Sequence, residues 1–292
     1  MKEKIKAAFL YIIFEIMQSS KPGLSNVLVE RTTLYSEFLQ RDVIVDFYLP
    51  ISVERPDQMS LLMINDGQDL PRMPFEEILN DLLEEQKIEP VLCVGIHCGP
   101  DRKMEYGVAN EPDYKGRGAK AGAYNDFVFE ELLPHIHNNY NVPSFKEKSF
   151  AGFSLGGLMA LDIVWNHAHE FANVGVFSGS LWWRSKGYTE GYDDDKDRIM
   201  HQQVKKGKLY PWLKFFFECG ALDEIADRNK NGVIDAIDDT LDIMRELTKL
   251  GYDTNNIKYL ELEDGRHDVP TWARAFPAFL EWGWPKIPVE NI

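Results

Sequence analysis

The sequence is poor in cysteine and in positive charge, and it has no apolar run long enough to cross a bilayer. Its three cysteines, Cys93, Cys98 and Cys219, lack the dense spacing of a disulfide scaffold, which favours a reducing, cytoplasmic compartment. With 32 Lys and Arg against 47 Asp and Glu, the formal net charge of −15 argues against binding to nucleic acid or to an anionic membrane surface. The chain also has no internal repeat or interdomain linker. These absences leave a soluble globular protein.

The first twenty residues resemble a secretory signal peptide only in part. Three lysines precede an apolar stretch that ends at Met17, as in a secretory signal peptide, but Glu15 interrupts the stretch and no small-residue cleavage site follows. The apolar residues fall on one helical stripe. We interpret residues 1–20 as an amphipathic helix docked on the body of the protein or on a partner. Residues 21–292 are expected to form a single domain.

Strand-like and helix-like segments alternate along the rest of the chain. Two runs rich in β-branched and aromatic residues, 27–33 and 43–49, predict an antiparallel hairpin at one edge of a sheet. Continuous apolar runs at 61–64 and 91–97 are typical of buried parallel strands, and helical patterns lie between such runs. The sequence therefore predicts an α/β protein with a central, mostly parallel sheet of about eight strands flanked by helices.

A Gly-Phe-Ser-Leu-Gly-Gly motif at residues 152–157 separates a short apolar run from a helical pattern. This arrangement predicts a nucleophile elbow, in which a serine sits on a sharp strand-to-helix turn. Side chains at Gly152 or Gly156 would collide with that turn. Ser154 is therefore the candidate nucleophile.

A serine hydroxyl needs an imidazole to accept its proton and a carboxylate to orient the imidazole. His267 lies just past the last predicted strand, and His97, which ends an earlier strand, is a weaker competitor. Asp223 follows the predicted strand at 215–219 directly, with Glu224 as the alternative acid. The order Ser154, Asp223, His267 is the order in which α/β-hydrolase triads occur.

The chain resembles the esterase branch of the α/β hydrolases, which includes esterase D, feruloyl esterases and enterochelin esterases. The resemblance covers residues 34–284. It rests on the motifs at 48–50, 66–68, 102–106, 152–157, 178–183 and 265–268 and on Trp272. It implies an α/β-hydrolase fold, Ser154 as nucleophile, Asp223 as acid and His267 as base, with an oxyanion hole made by the backbone amides of Gln68 and Leu155.

Four further residues are candidates for the substrate pocket. The family often has His-Gly where this chain has Asp66-Gly67, and this departure bears on specificity. Arg102 belongs to another shared motif. Trp182 and Trp183 follow the strand after the elbow helix, where they could line a pocket for an aromatic acyl group or a sugar, or could equally be core anchors.

Residues 227–238 follow the pattern of a calcium-binding loop, with oxygen ligands at alternate positions and glycine at the sixth. The loop resembles those of dockerins and EF-hands. The predicted ligands of a structural Ca²⁺ are Asp227, Asn229, Asn231, Val233 through its carbonyl, Asp235 and Asp238. The twelfth residue is Asp rather than Glu, and the alternative is a hydrogen-bonded turn that holds no metal. No cofactor is expected for catalysis.

Together these features predict a serine carboxylic ester hydrolase that works through an acyl-enzyme on a small-molecule or carbohydrate-linked ester. One alternative is an acyltransferase of the same fold, in which an alcohol replaces water in the second step. The other is a catalytically silent, calcium-stabilised binding protein.

Overall fold

One eight-stranded sheet organises the part of the chain that the structure describes. The computed structural model describes residues 25–51, 53, 59–109, 111–140, 142 and 144–286, so the helix predicted for residues 1–20 lies outside the described residues. The strands are β1 Val27–Ser36, β2 Arg41–Pro50, β3 Ser60–Asn65, β4 Val91–Ile96, β5 Lys148–Phe153, β6 Asn173–Phe177, β7 Lys214–Leu222 and β8 Ile257–Arg266. Their order across the sheet is β1-β2-β4-β3-β5-β6-β7-β8.

The sheet is parallel from β4 to β8, and the predicted hairpin forms its other end. β1 pairs antiparallel with β2, and β2 pairs antiparallel with β4. All remaining pairs are parallel. Because β3 neighbours both β4 and β5, the direction in which successive strands are added reverses there. Such a point opens a crevice at the carboxyl ends of the strands, where α/β proteins bind ligands. The predicted fold class is confirmed.

Helices cover both faces of this sheet. They are α1 Phe75–Glu84, α2 Arg102–Glu105, α3 Ala121–Asp126, α4 Leu133–Tyr140, α5 Leu155–Asn166, α6 Asp194–Asp197, α7 Ile199–Lys206, α8 Asp235–Leu250 and α9 Val269–Gly283. A π-helical stretch, Phe127–Leu132, joins α3 to α4. Among the described residues no helix is long and apolar enough to cross a membrane.

Two apolar layers hold the helices to the sheet. The buried residues of α5, including Leu158 and Ile163, belong to the core on one face. On the other face α1 and α9 pack through residues such as Leu79 and Phe276. Adjacent residues of a strand point to opposite faces, so Phe215 contributes to the first layer and Phe216 to the second. This alternation determines which side chains of β7 face α9.

Candidate active site

Ser154 occupies a sharp turn between β5 and α5. Its backbone has φ 55° and ψ −121°, a region that side chains other than glycine rarely adopt. Its amide donates to the Phe177 carbonyl at 2.9 Å, which fixes the turn to the neighbouring strand β6. A Cβ at Gly152 would lie 2.3 Å from the Gly156 carbonyl oxygen, so only glycine fits there. The turn raises the serine above the carboxyl edge of the sheet.

Asp223 and His267 meet across the ends of β7 and β8. Asp223 Oδ2 lies 3.8 Å from His267 Nδ1. The Asp223 side chain is 1% exposed and that of His267 is 41% exposed. The distance exceeds that of a hydrogen bond, but contacts between catalytic groups are often long without substrate. Glu224, the alternative acid, is half-buried, and burial raises the pKa of its carboxyl group.

Trp272 of α9 connects His267 with the elbow. Its ring stacks on that of Phe153, the residue before Ser154, with centroids 5.0 Å apart. The His267 ring meets Trp272 edge-on at 5.4 Å. Trp272 Nε1 also donates to Ser178 Oγ at 2.9 Å. The indole therefore braces the histidine against the strand that carries the serine.

His97, the competing histidine, belongs to a different cluster. Its Nε2 lies 2.7 Å from Asp46 Oδ2, and Arg31 Nε donates to the other Asp46 oxygen at 2.6 Å. Burial favours the neutral Asp46 carboxyl, but hydrogen bonds from Arg31 and His97 outweigh it and lower the pKa of Asp46 to about 2. Asp46 lies on β2, which is separated from β5 by β4 and β3. This histidine is therefore engaged away from Ser154.

The turn after β3 is clamped by an ion pair. Asp66 has φ 61° and is 2% exposed. Arg102 donates to both of its carboxylate oxygens at 2.7 Å, and also to the Phe153 carbonyl at 3.3 Å. Burial disfavours the guanidinium, yet Asp66 raises the pKa of Arg102. The bidentate pair holds the turn against β5. Asp66 and Arg102 were both predicted for the substrate pocket, and here they pair with each other and stabilise the turn.

The same turn contacts the elbow directly. A Cβ at Gly156 would lie 2.6 Å from Asp66 Oδ2, so the carboxylate covers the start of α5. Asn65 donates to the Gly156 carbonyl at 2.8 Å. Gln68 and Leu155, whose amides are the predicted oxyanion donors, therefore belong to two segments in contact. The first N–H groups of a helix have no partner within it, so the Leu155 amide is suited to bind an anion.

The tryptophan pair divides between core and surface. Trp183 has no exposed surface, and its Nε1 donates to the Glu111 carbonyl at 3.3 Å. This burial favours the alternative in which Trp183 is a core anchor over the one in which it lines the substrate pocket. Trp182 is only partly buried, and the Arg117 guanidinium lies 4.9 Å from its ring centroid. Trp182 remains a candidate for substrate contact.

Two residues towards the carboxyl ends of the strands were missed by the sequence analysis. Ser180 Oγ lies 3.4 Å from Ser154 Oγ, and the Ser180 amide donates to the Ser154 carbonyl at 3.0 Å. Glu218 of β7 is fully buried. Burial first, and the charge of Asp223 second, raise the pKa of Glu218 to about 8. Its signal in the sequence was a single charged residue inside the apolar run at 215–219.

The predicted calcium loop forms a compact turn between β7 and α8. The Asp227 carboxylate accepts from the backbone amides of Asn231 at 3.1 Å and Gly232 at 2.9 Å. The side-chain amides of Asn229 and Asn231 donate to Asp238 Oδ2 at 2.8 and 2.7 Å. Gly232 has φ 88°, which explains the glycine at the sixth position. The side chains of four of the six predicted ligands thus take part in one hydrogen-bonded cluster.

The other two predicted ligands have different surroundings. The Val233 amide donates to Asn231 Oδ1 at 2.7 Å. Asp235 accepts from the Arg228 amide at 2.9 Å and lies 3.2 Å from the Arg228 guanidinium. Within the described ranges, no three His, Cys, Asp or Glu side chains form a metal-binding group. The predicted set depends instead on asparagine and main-chain oxygens.

An α/β sheet whose strand-to-helix turn presents a strained serine defines the α/β-hydrolase class of enzymes. Residues 36–282 match the family model described as "Putative esterase". The chain belongs to this esterase family and is an ester hydrolase.

Three similar proteins illustrate the relationship. The uncharacterized protein YbbA of Bacillus subtilis (strain 168) is 22% identical over 230 residues, which is 76% of this chain and 84% of that protein. A ferulic acid esterase structure matches with a TM-score of 0.65 and 18% identity, covering 89% of this chain and 98% of the other. The siderophore hydrolase EstB of Aspergillus nidulans gives a TM-score of 0.65 and 18% identity over 92% of this chain and 99% of the other. At these identities the structures share the fold.

Proposed function

We propose that the protein is a serine carboxylic ester hydrolase that works through an acyl-enzyme. The observation that carries this proposal is the conformation of Ser154, a non-glycine residue held at φ 55° at the start of a helix. Such strain persists only where the surrounding structure enforces it, and it clusters at active sites. An elbow of this kind presents the hydroxyl to solvent and to an imidazole, which is what nucleophilic attack requires.

In the proposed reaction each group has one role. Ser154 attacks the ester carbonyl while His267 takes its proton, and the protonated imidazole then gives that proton to the leaving alcohol. The Asp223 carboxylate fixes the imidazole tautomer and stabilises its charged form. Water then attacks the acyl-enzyme with His267 as base, which releases the acid and restores Ser154. The 3.8 Å approach of Asp223 to His267 supports this assignment over Glu224.

The backbone amides of Gln68 and Leu155 are proposed to stabilise the oxyanion. They belong to segments that the Asp66–Arg102 pair holds together, so their directions are fixed before substrate binds. Donors that need no rearrangement stabilise developing charge most effectively. A Cβ at Gly67 would lie 2.4 Å from the Gly95 carbonyl carbon, so this turn depends on the glycine before Gln68.

The proposed substrate is a small-molecule or carbohydrate-linked ester. The partly buried Trp182 ring, with Arg117 over its face, supplies an apolar surface next to a cation. Two proteins of the same fold are called a ferulic acid esterase and a siderophore hydrolase. A screen of acetyl, feruloyl and siderophore-type esters would identify the preferred acyl group.

The loop at residues 227–238 is proposed to hold a structural Ca²⁺ through Asp227, Asn229, Asn231, the Val233 carbonyl and Asp238. These groups fit the ion chemically because each offers a hard oxygen donor. The two asparagine amides would have to present oxygen rather than nitrogen, a rotation about one bond. Asp235 is held by Arg228 and is the weakest member of the set. When bound, the ion would stabilise the loop that follows Asp223.

The test of this function compares matched variants on a chromogenic acetate ester. Ser154→Ala and His267→Ala should both reduce turnover to background, because triad members act as a unit. His97→Gln should keep wild-type turnover, since His97 pairs with Asp46.

A second matched pair tests the acid of the triad. Asp223→Asn should be far more damaging than Glu224→Gln. Full activity in Ser154→Ala would refute the proposal, and loss confined to His97→Gln or Glu224→Gln would refute the assignment of base or acid. A product that appears only when an acceptor alcohol is added would show a transferase instead.

A further inference from the structure

Glu218 is a buried carboxyl group to which the proposed reaction assigns no role. It lies in β7 with no exposed surface. Within the described part of the chain neither of its side-chain oxygens makes a hydrogen bond of good geometry, and Ser178 is its nearest hydrogen-bonding neighbour. Burying a carboxyl group without a partner is costly, and such groups in native structures call for an explanation.

The strand places Glu218 on the same face as the carboxylate of the triad. Residues 216, 218 and 220 point to one face of β7, and Phe216 packs in the layer beneath α9. A Cβ at Gly220 would lie 2.6 Å from Asp223 Oδ1, so the Asp223 carboxylate occupies the space that a side chain at 220 would fill. Positions 218 and 220 are about 7 Å apart along β7. The Asp223 carboxylate fills the space beside position 220, so a Glu218 side chain that extends along the strand points towards it.

Asp223 also lacks a donor apart from the histidine it faces. Its side chain is 1% exposed, and across the described residues neither oxygen accepts a hydrogen bond. A triad carboxylate must point at its imidazole to fix the tautomer. With His267 at 3.8 Å, a second group is needed to hold Asp223 in place.

The surroundings of Glu218 favour its neutral form. Asp223 and Arg274 are the charged groups that act on it, and Arg274 is exposed and bound by two hydrogen bonds to Asp264. From β6 the Ser178 amide donates to the Glu218 main-chain carbonyl at 2.8 Å. Hydrogen bonding by Ser178, and after it the charge of Arg274, lower the pKa of the Glu218 carboxyl group but do not outweigh burial and Asp223. Burial and the charge of Asp223 raise the pKa of Glu218 to about 8, so at neutral pH the carboxyl group keeps its proton. A protonated carboxyl group is a hydrogen-bond donor.

We propose that Glu218 is a positioning residue for the triad, whose carboxyl group donates a hydrogen bond to Asp223 and holds it towards His267. The inference rests on the proposed function, because it assigns Glu218 a role in the Ser154–His267–Asp223 reaction. When Glu218 loses its proton, the donor becomes a second buried negative charge that repels Asp223. Activity should then fall on the alkaline side, with a midpoint near the pKa of Glu218.

The experiment measures kcat and KM between pH 5 and pH 10 for wild type and three variants. Glu218→Gln keeps a donor that cannot lose its proton, and Glu218→Met removes the donor at similar length. Asp162→Asn is the matched control, because Asp162 is another fully buried carboxyl group, on α5, whose pKa burial raises to about 7. Thermal melts and near-ultraviolet circular dichroism establish that each variant is folded.

Wild type and Asp162→Asn should share an alkaline decline in kcat centred near pH 8. Glu218→Gln should keep the neutral-pH kcat and lack that decline. Glu218→Met should lose roughly ten- to a hundredfold in kcat at all pH values with little change in KM, the size expected of a misplaced catalytic group.

An alkaline decline that persists in Glu218→Gln, or that disappears only in Asp162→Asn, would overturn the inference. So would a folded Glu218→Met with wild-type kcat. These outcomes are separate from failure of the proposed function, which would appear as turnover in Ser154→Ala, included in the same series to measure the background.

Discussion

Replacing Glu218 with glutamine should stabilise the protein, and the gain should grow with pH. In the folded chain the pKa of Glu218 is raised from 4.5 to about 8, first because the side chain is buried and second because Asp223 lies near it. Between these values the unfolded chain has released the proton while the folded chain retains it. Wild-type stability should therefore fall as pH rises through this range. Glutamine does not titrate, so Glu218→Gln avoids this loss.

The size of the effect follows from the pKa difference. Each pH unit within the range costs about 1.4 kcal/mol of unfolding free energy, so the full loss above pH 8 is about 5 kcal/mol. At pH 7 the variant should be more stable than wild type by about 3 kcal/mol, and at pH 5 by less than about 1 kcal/mol. For a chain of this size, about 3 kcal/mol corresponds to a rise of roughly 6 °C in Tm.

Thermal and urea melts of wild type and Glu218→Gln at half-unit steps from pH 5 to pH 9 measure this difference. Other groups that titrate in this range, such as Asp162, contribute to both proteins and cancel in the comparison. A constant stability difference across the whole range would refute the reasoning, because it would mean that Glu218 is already ionised at pH 5. A variant less stable than wild type at pH 7 would show that the carboxyl group makes interactions that glutamine cannot replace.

Two further predictions concern the Asp66–Arg102 ion pair and the loop at residues 227–238. Arg102→Met should lower both Tm and kcat, because it leaves Asp66 buried without its partner, at a cost of about 3–5 kcal/mol of unfolding free energy. Thermal melts and initial rates measure both effects. Combining Asp66→Asn with Arg102→Met should restore Tm but not kcat. Removing divalent metal with a chelator should lower Tm, since calcium at a hundred times its Kd would stabilise the chain by about 2.7 kcal/mol. The variant with both Asp227→Ala and Asp238→Ala should be insensitive to calcium, and a wild type equally insensitive would leave the loop as a turn without metal.

The order of strands and helices could be predicted because buried parallel strands are continuous apolar runs. The predicted ends of strands were less accurate where the pairing between strands continues through polar residues. The apolar pattern of the last strand covers only residues 258–262, but β8 runs from Ile257 to Arg266. Its pairing with β7 continues past an irregularity between Gly220 and Leu222, so backbone hydrogen bonds extend it where the hydrophobic pattern has ended.

Local motifs predicted the serine, and long-range packing determined what surrounds it. The sharp turn at Ser154 could be predicted because its pattern lies within six neighbouring residues. The Asp66–Arg102 pair joins residues 36 positions apart, and no local pattern indicates it. Ser180 approaches Ser154 only because β5 and β6 are neighbours. Glu218 likewise has Asp223 as a neighbour only because the chain turns back over Gly220 after β7 ends.

Unfavourable features are concentrated at the carboxyl edge of the sheet. Asp66, Ser154 and Ser178, which directly follow β3, β5 and β6, all have positive φ, at 61°, 55° and 45°. The next strand, β7, carries the buried Glu218. Each of these features costs stability by itself, on the order of 1–3 kcal/mol for a strained backbone. Four successive positions across the sheet would not be expected to share such costs unless the edge were selected for a fixed arrangement of groups. This distribution indicates that the fold sacrifices stability where a preorganised site requires it, and the large apolar layers on both faces compensate.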